Sequence, residues 1–297
     1  MSLVHRTGFG VLGVAALGVT LSSAALADSD LPETMTLSAV IRDFKAIGDG
    51  GHVDFENSNL LGGTVSVGLV EDHTNQDGVP VFLNARGMKI HTEYRDSSGR
   101  PILPALYDPS RGDVAGVLTT VSRDRMVSAD SFSTWYVDTP GVNLSAQKDL
   151  VLYRQGDTNV YVFDSATSPE FEGLGGFFPI NNELFGNYST TGRNYHFTTE
   201  VRTQFVHHAG DGHVFKFTGD DDVWVFIDGR LVIDLGGRHP VREQFVELDR
   251  LDWLEDGMTY SLSIFHAERK VTASNFRVET TLQLQPKPLP SVTSAFD

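Results

Sequence analysis

Three consecutive acids, Asp220, Asp221 and Asp222, stand directly before the apolar run Val223, Trp224, Val225, Phe226 and Ile227. Carboxylates set against a buried strand repel one another and resist losing water. They must fan out into solvent or be neutralised, and a hard cation neutralises them best. Calcium is the cation this chemistry points to. Solvated loop acids are the plain alternative, because runs of like charge are usually solvated. The strand ends in Asp228-Gly229, a type I′ hairpin signal, and resumes at Leu231-Val232-Ile233 before Asp234-Leu235-Gly236-Gly237-Arg238-His239. His239, behind two glycines, and the pair Glu268-Arg269 are candidates for a polar cluster beside the acids. The other reading of Glu268 and Arg269 is a buried ion pair that fixes a loop.

A cluster of this kind needs strands to hold it. Residues 36–41, 64–70, 89–94, 150–153, 160–163, 195–206, 213–217, 223–227, 231–234, 244–248, 259–265 and 275–284 are short and rich in β-branched and aromatic side chains. Gly, Asn, Asp and Pro punctuate them. The spacing predicts an all-β antiparallel sandwich with long loops. Minor helices are predicted over 130–136 and 143–148, the second capped by Asn143. Trp224 and Phe226 alternate with Val223, Val225 and Ile227 on a strand that reads as buried on both faces, so they belong to the core. Trp135, Tyr136 and Trp253 lie near turns and polar residues, where an aromatic ring can stack on a sugar.

The chain has 297 residues, 40% of them hydrophobic, and no cysteine, so its core must hold without disulfides. Arg6, the apolar stretch 9–19 and Ala25-Leu26-Ala27 form the pattern of a signal peptide cleaved before Asp28. The expected organisation is a signal peptide over 1–27, one domain over 28–285 and a Pro-containing flexible tail over 286–297. No later stretch carries the roughly 18 uninterrupted apolar residues of a membrane helix, so no membrane insertion is expected. Loss of Arg6 leaves 22 of the 23 basic residues against 39 acidic ones, taking the formal charge from −16 to −17. Nucleic acid is excluded as a partner by that balance.

Several stretches together resemble a known family. Thr198-Thr199-Glu200 leads through Phe215-Lys216-Phe217-Thr218-Gly219 and the acidic triplet to Asp228-Gly229, then to Asp234-Leu235-Gly236-Gly237-Arg238-His239, Ala267-Glu268-Arg269 and Ser274-Asn275-Phe276. Ile41-Arg42-Asp43-Phe44, Asp54-Phe55-Glu56, Trp135-Tyr136 and Phe177-Phe178-Pro179-Ile180 fit the same pattern upstream. The set is similar to the fibro-slime domain, a bacterial relative of the PA14 β-sandwich, from about residue 36 to 284. The resemblance implies a sandwich of a kind found in adhesins, glycosidases and toxins, several of which bind glycans through calcium. In lectin-like members two adjacent aspartates joined by a cis peptide hold the ion, seven residues before the Asp of an Asp-Gly turn. Asp221 stands seven before Asp228, which makes Asp220-Asp221 the matching pair. Asn275 would supply a further ligand, while Asp222 would support the site from behind or pair with Arg269.

Catalytic patterns are missing. No Ser sits in a GxSxG elbow, His266-Ala267-Glu268 lacks the PCxxC of zinc deaminases, and the loop His73–Gly78 lacks EF-hand ligands at its first and last positions. A paired-carboxylate glycosidase is the nearest enzyme reading. The expectation is a secreted or cell-surface, calcium-dependent carbohydrate-binding module that takes a glycan or cell-surface polysaccharide. The alternative is a slime or matrix protein that self-associates and uses calcium only to stiffen loops.

Overall fold

Alternation of buried and exposed side chains sets the strands. In β1 (Thr34–Phe44) Met35, Leu37 and Ala39 point inward between exposed Thr34, Thr36 and Ser38, and from Ala39 onward both faces are buried. The computed structural model describes residues 31–287. The expected signal peptide and tail residues 288–297 lie outside them. After β1 come β2 (Ser66–Val67), β3 (Met88–Thr92) and β4 (Val117–Thr119), which form a small separate sheet in the order β2-β3-β4. The one-turn helix α1 (Ala129–Phe132) follows, capped by Ser128, whose hydroxyl accepts from Ser131 N at 3.1 Å.

The second half of the chain supplies β5 (Asn143–Arg154), β6 (Tyr161–Asp164), β7 (Phe197–Val206), β8 (Val214–Gly219), β9 (Asp222–Ile227) and β10 (Arg230–Leu235). It ends with β11 (Arg242–Glu247), β12 (Thr259–Glu268), β13 (Phe276–Thr280) and β14 (Gln285–Pro286). With β1 these make one antiparallel sheet in the order β10-β9-β12-β7-β1-β5-β6-β13-β8-β11, and β14 adds to β7 beyond the end of the β1 pairing. The strands at the two ends of that order meet, since Asp234 N of β10 donates to Gln244 Oε1 of β11 at 2.8 Å. The sheet therefore folds over on itself. Val223 and Ile233 from one end share a core with Phe217 and Val246 from the other.

The segment 143–148 is not a helix. It opens β5, paired residue for residue with β1 from Thr34↔Tyr153 to Phe44↔Asn143. The Asn143 side chain is spent on the preceding turn, where it accepts from Thr139 N and donates to Thr134 O and Val137 O. Burial here alternates with period two over Asn143, Leu144, Ser145 and Ala146, and eleven ladder pairs outweigh one local cap. At the other end of the domain, Gln285 is paired with Gln204, and Pro286, the first residue of the expected tail, with Thr203.

A second apolar layer covers the outer face of β9 and β12. Trp224, Phe226 and Phe265 turn away from the first core and pack with Phe44, Phe55, Phe132 and Trp135. Arg42 fastens this layer, donating to Asp138 Oδ1 at 2.8 Å and to Glu200 Oε2 at 2.7 Å. Trp135 and Tyr136, expected as sugar platforms, are 0% and 2% exposed and belong to that core. Their setting near turns gave no sign that the turns themselves fold back onto the sheet. The Asp228-Gly229 turn has both residues at positive φ, 51° and 74°, as a type I′ hairpin demands.

Asp43, near the end of β1, is buried between Asn194 Nδ2 at 2.9 Å and Phe185 N at 2.8 Å, both donating to its carboxylate. Burial outweighs these bonds and pushes its pKa to about 7 from an ordinary value of 3.8. Between about pH 4 and pH 7 the folded chain then keeps a proton that the unfolded chain has lost, so stability falls as pH rises through that window. Denaturant unfolding across it should show a component of up to about 1.4 kcal/mol per pH unit that is absent in Asp43→Asn. Parallel pH profiles for the two proteins would remove Asp43 as the source.

Candidate functional site

The acidic triplet sits where the chain crosses between layers. β8 ends at Gly219 next to β11 and β13, and β9 begins at Asp222 beside β10 and β12, so Asp220 and Asp221 alone make the crossing. Space is tight. A Cβ on Gly219 would lie 2.4 Å from Asn275 O and 2.6 Å from the Phe217 ring, so only glycine fits. Asp221 takes the left-handed conformation at φ 52°, which a short polar residue tolerates. The implied cis peptide is not observed: every peptide bond among the described residues is trans.

Each acid faces a different partner. Asp220 is clamped by Asn275, whose N donates to Oδ1 at 2.6 Å and whose Nδ2 donates to Oδ2 at 2.8 Å. Asp221 Oδ2 accepts from Arg269 N at 3.0 Å, and Oδ1 has no donor among the described residues. Asp222 Oδ2 lies 2.7 Å from Arg269 Nε and 2.6 Å from Nη2, while its Oδ1 accepts from Gly237 N at 2.6 Å. Exposures of 3%, 5% and 0% rule out solvated loop acids. Burial raises the pKa of Asp220 against its bonds to Asn275, and pushes Asp221 up to about 7, with repulsion from Asp222 and Asp220 added.

Glu268 and Arg269 do not pair with each other. Consecutive residues at the end of β12 point to opposite sides. Arg269 goes to Asp222, to Arg125 O at 3.0 Å and over the Trp135 ring at 4.9 Å. Glu268 is held on the other side, where burial and then the charges of Asp221 and Asp220 raise its pKa. Its Oε1 accepts from Lys270 N at 3.3 Å and its Oε2 has no partner. His239 is buried, with Nδ1 2.9 Å from Pro240 O and Nε2 2.9 Å from Leu235 O, and burial lowers its pKa.

Asp220, Asp221 and His239 border one open cavity of about 490 Å³, shared with Arg238, Val241 and Lys270. Sequence reasoning placed neither Arg238 nor Lys270 here. Arg238 directly precedes His239, and Lys270 follows Arg269, but nothing in their spacing marks them. Lys270 Nζ pairs with Glu56. Trp253 lies elsewhere, half-buried beneath Arg230 at 4.8 Å.

Residues 156–291 match the PA14 domain profile. The chain carries a PA14 domain. Similarity extends upstream of that match: protein psiR of Dictyostelium discoideum is 31% identical over 264 residues, 86% of this chain and 22% of psiR. Protein psiD of the same organism is 31% identical over 258 residues, 84% of this chain and 42% of psiD. The chain thus spans less than half the length of these curated relatives. Among solved structures, an anti-sigma factor domain-containing protein overlaps 32% of this chain and 36% of its own, at 18% identity and a TM-score of 0.25.

The oxygen donors of the PA14 corner can be tested against a cation. Among the described residues no three His, Asp or Glu side chains form a metal-binding group. An ion here would draw on two carboxylates, Asp220 and Asp221, and be completed by neutral oxygens such as Asn275 Oδ1. Hard oxygens of this kind suit calcium, and Asp221 Oδ1 is the unclaimed one. The residues fit in type.

Asp222 and Glu268 should behave oppositely when changed. Asp222→Ala leaves Arg269 buried without its carboxylate and should cost about 3–5 kcal/mol. Glu268→Gln removes a carboxyl with an idle oxygen and should shift stability by less than about 1 kcal/mol. Denaturant unfolding of the two variants checks this, and equal losses would contradict the division of partners.

Proposed function

We propose that this chain is an exported, calcium-dependent carbohydrate-binding module acting at a cell surface or in extracellular matrix. The observation that carries the reading is the corner Asp220-Asp221: two buried carboxylates with raised pKa values, beside Asn275, at the edge of an open cavity. PA14 domains are associated with carbohydrate binding and adhesion in general, which supports the ligand class. The signal-like residues 1–27 support export. No helix of the described residues is long and apolar enough to cross a membrane.

Asp220, Asp221 and Asn275 would hold the ion. Calcium bound there supplies charge neutralisation and coordination positions open to sugar hydroxyls. The protein's own contribution is to fix the acids: Asn275 holds Asp220 with two hydrogen bonds, and Arg269 N holds Asp221 with one. Asp222 and Arg269 hold the surrounding backbone and stay out of the ligand shell. Val241, 42% exposed on the cavity wall, gives an apolar surface for a sugar ring.

Calcium should bind with an affinity of about 0.1–1 mM, in the range of extracellular modules. Titration calorimetry should show that binding lost in Asp220→Asn and in Asp221→Asn. Since the ion binds the folded chain, the calcium-dependent rise in melting temperature should vanish in the same variants. A glycan array run with and without chelator reads the second half of the proposal. Equal calcium uptake by the wild type and the double variant would move the ion elsewhere.

A further inference from the structure

The cavity beside Asp220 and Asp221 holds an underused cation. Arg238 is only 7% exposed, yet its guanidinium has a single acceptor, Leu60 O on Nη2, and both Nε and Nη1 lack any partner. A buried guanidinium with two idle nitrogens is costly unless something anionic completes it. Gly62 and Gly63 bring the backbone close enough to hold it: Gly63 N donates to Arg238 O at 2.7 Å, and a Cβ on Gly62 would sit 3.5 Å from that same oxygen. Lys270 stands on the same wall and shares its charge with Glu56. Burial, and then the charge of Arg269, lowers the Arg238 pKa against the attraction of Asp221, Asp222 and Glu56.

Charge then selects the ligand. Four charged side chains line the cavity, Asp220 and Asp221 against Arg238 and Lys270, so without an ion the wall is balanced. A divalent cation on the two acids leaves Arg238 in excess, while Lys270 beside it is compensated by Glu56. No Phe, Tyr or Trp lines the cavity among the described residues, so the broad stacking surface that selects neutral sugar faces is missing. We infer that the glycan taken at this site carries an oxyanion, a carboxylate or a sulfate, which lies toward Arg238 and Lys270 while the ion meets neighbouring oxygens. The inference rests on the calcium reading above for its sign, because a vacant acid pair would repel the same ligand. Arg238 suits the role, since guanidinium donors pair well with planar oxyanions.

The test uses the whole exported chain and three oligosaccharides of matched length: an oligogalacturonate, a sulfated oligogalactose and neutral oligogalactose. Binding is measured with calcium and with chelator, on wild type, Lys270→Gln and Arg238→Lys, with melting temperatures as a folding control. Expected is at least about tenfold tighter binding of an acidic probe than the neutral one, with calcium present and weakening as salt rises. Lys270→Gln, at a half-exposed position, should close most of that gap without altering the fold. Comparing the carboxylated and sulfated arms identifies the anion. Calcium-dependent binding of neutral and acidic probes alike overturns this inference and leaves the lectin reading standing. Acidic binding that survives chelator overturns the inference, because its charge argument depends on the ion. Failure of all three probes to bind overturns this inference, while the glycan array decides the lectin reading.

Discussion

The ion pair between Asp222 and Arg269 is the interaction on which the rest of this end of the fold depends. Both side chains are fully buried, and such a pair repays its desolvation only when the remaining donors and acceptors are also met. Here most are: Gly237 N on Asp222, Arg125 O and the Trp135 face on Arg269. The pair joins the first residue of β9 to the residue following β12, and reaches through Arg125 and Trp135 into the segments that make the outer layer. Arg269 also gives its backbone N–H to Asp221. One residue thus sets both the position of the outer layer and the orientation of an acid at the cavity.

That outer layer explains why the triplet is not a solvated loop. A strand with one face in water would let its leading acids turn outward. β9 and β12 have Val223, Val225 and Ile264 in one core and Trp224, Phe226 and Phe265 in another, so neither face is open. The chain crosses from β8 to β9 between these covered layers. Three carboxylates must find three separate solutions in one turn: a guanidinium, an amide clamp and a backbone N–H with one oxygen left over.

Much of the architecture was legible in the sequence because period-two patterning is a local signal. The strands around Trp224, the Asp228-Gly229 turn and the placement of Trp224 and Phe226 in the core follow from residue types alone. The failures share a cause. By their sequence neighbours alone, Asn143 has the setting of a helix cap and Trp135 that of an exposed platform. Their partners come from β1 and β9, far away along the chain. Arg238 and Lys270 were invisible for the same reason, since a cavity wall is assembled only by the crossing of distant strands. The match of Asp222 to Arg269 was foreseeable as one of two pairings. The direction of Glu268 was not, as strand alternation gives opposite sides without saying which side holds the acids.

Glu268 shows how the two sides of the corner differ in kind. Around Arg269 opposite charges meet and are closely hydrogen-bonded, which gives a fixed structure. Around Glu268 there is no such partner: burial, then Asp221 and Asp220, raise its pKa, its second oxygen is idle, and the neighbouring cation Lys270 is drawn to Glu56. Like charges in a buried space cannot all stay ionised without a compensating charge. Two compensations are chemically available, a proton on Glu268 or a cation near Asp221, and they are not equivalent. A proton satisfies Glu268 locally and leaves Asp220 and Asp221 to repel each other, whereas a cation beside Asp221 relieves all three acids together. The uncompensated negative charge therefore lies with Glu268, Asp221 and Asp220, and not in the packed face where Asp222 and Arg269 already meet.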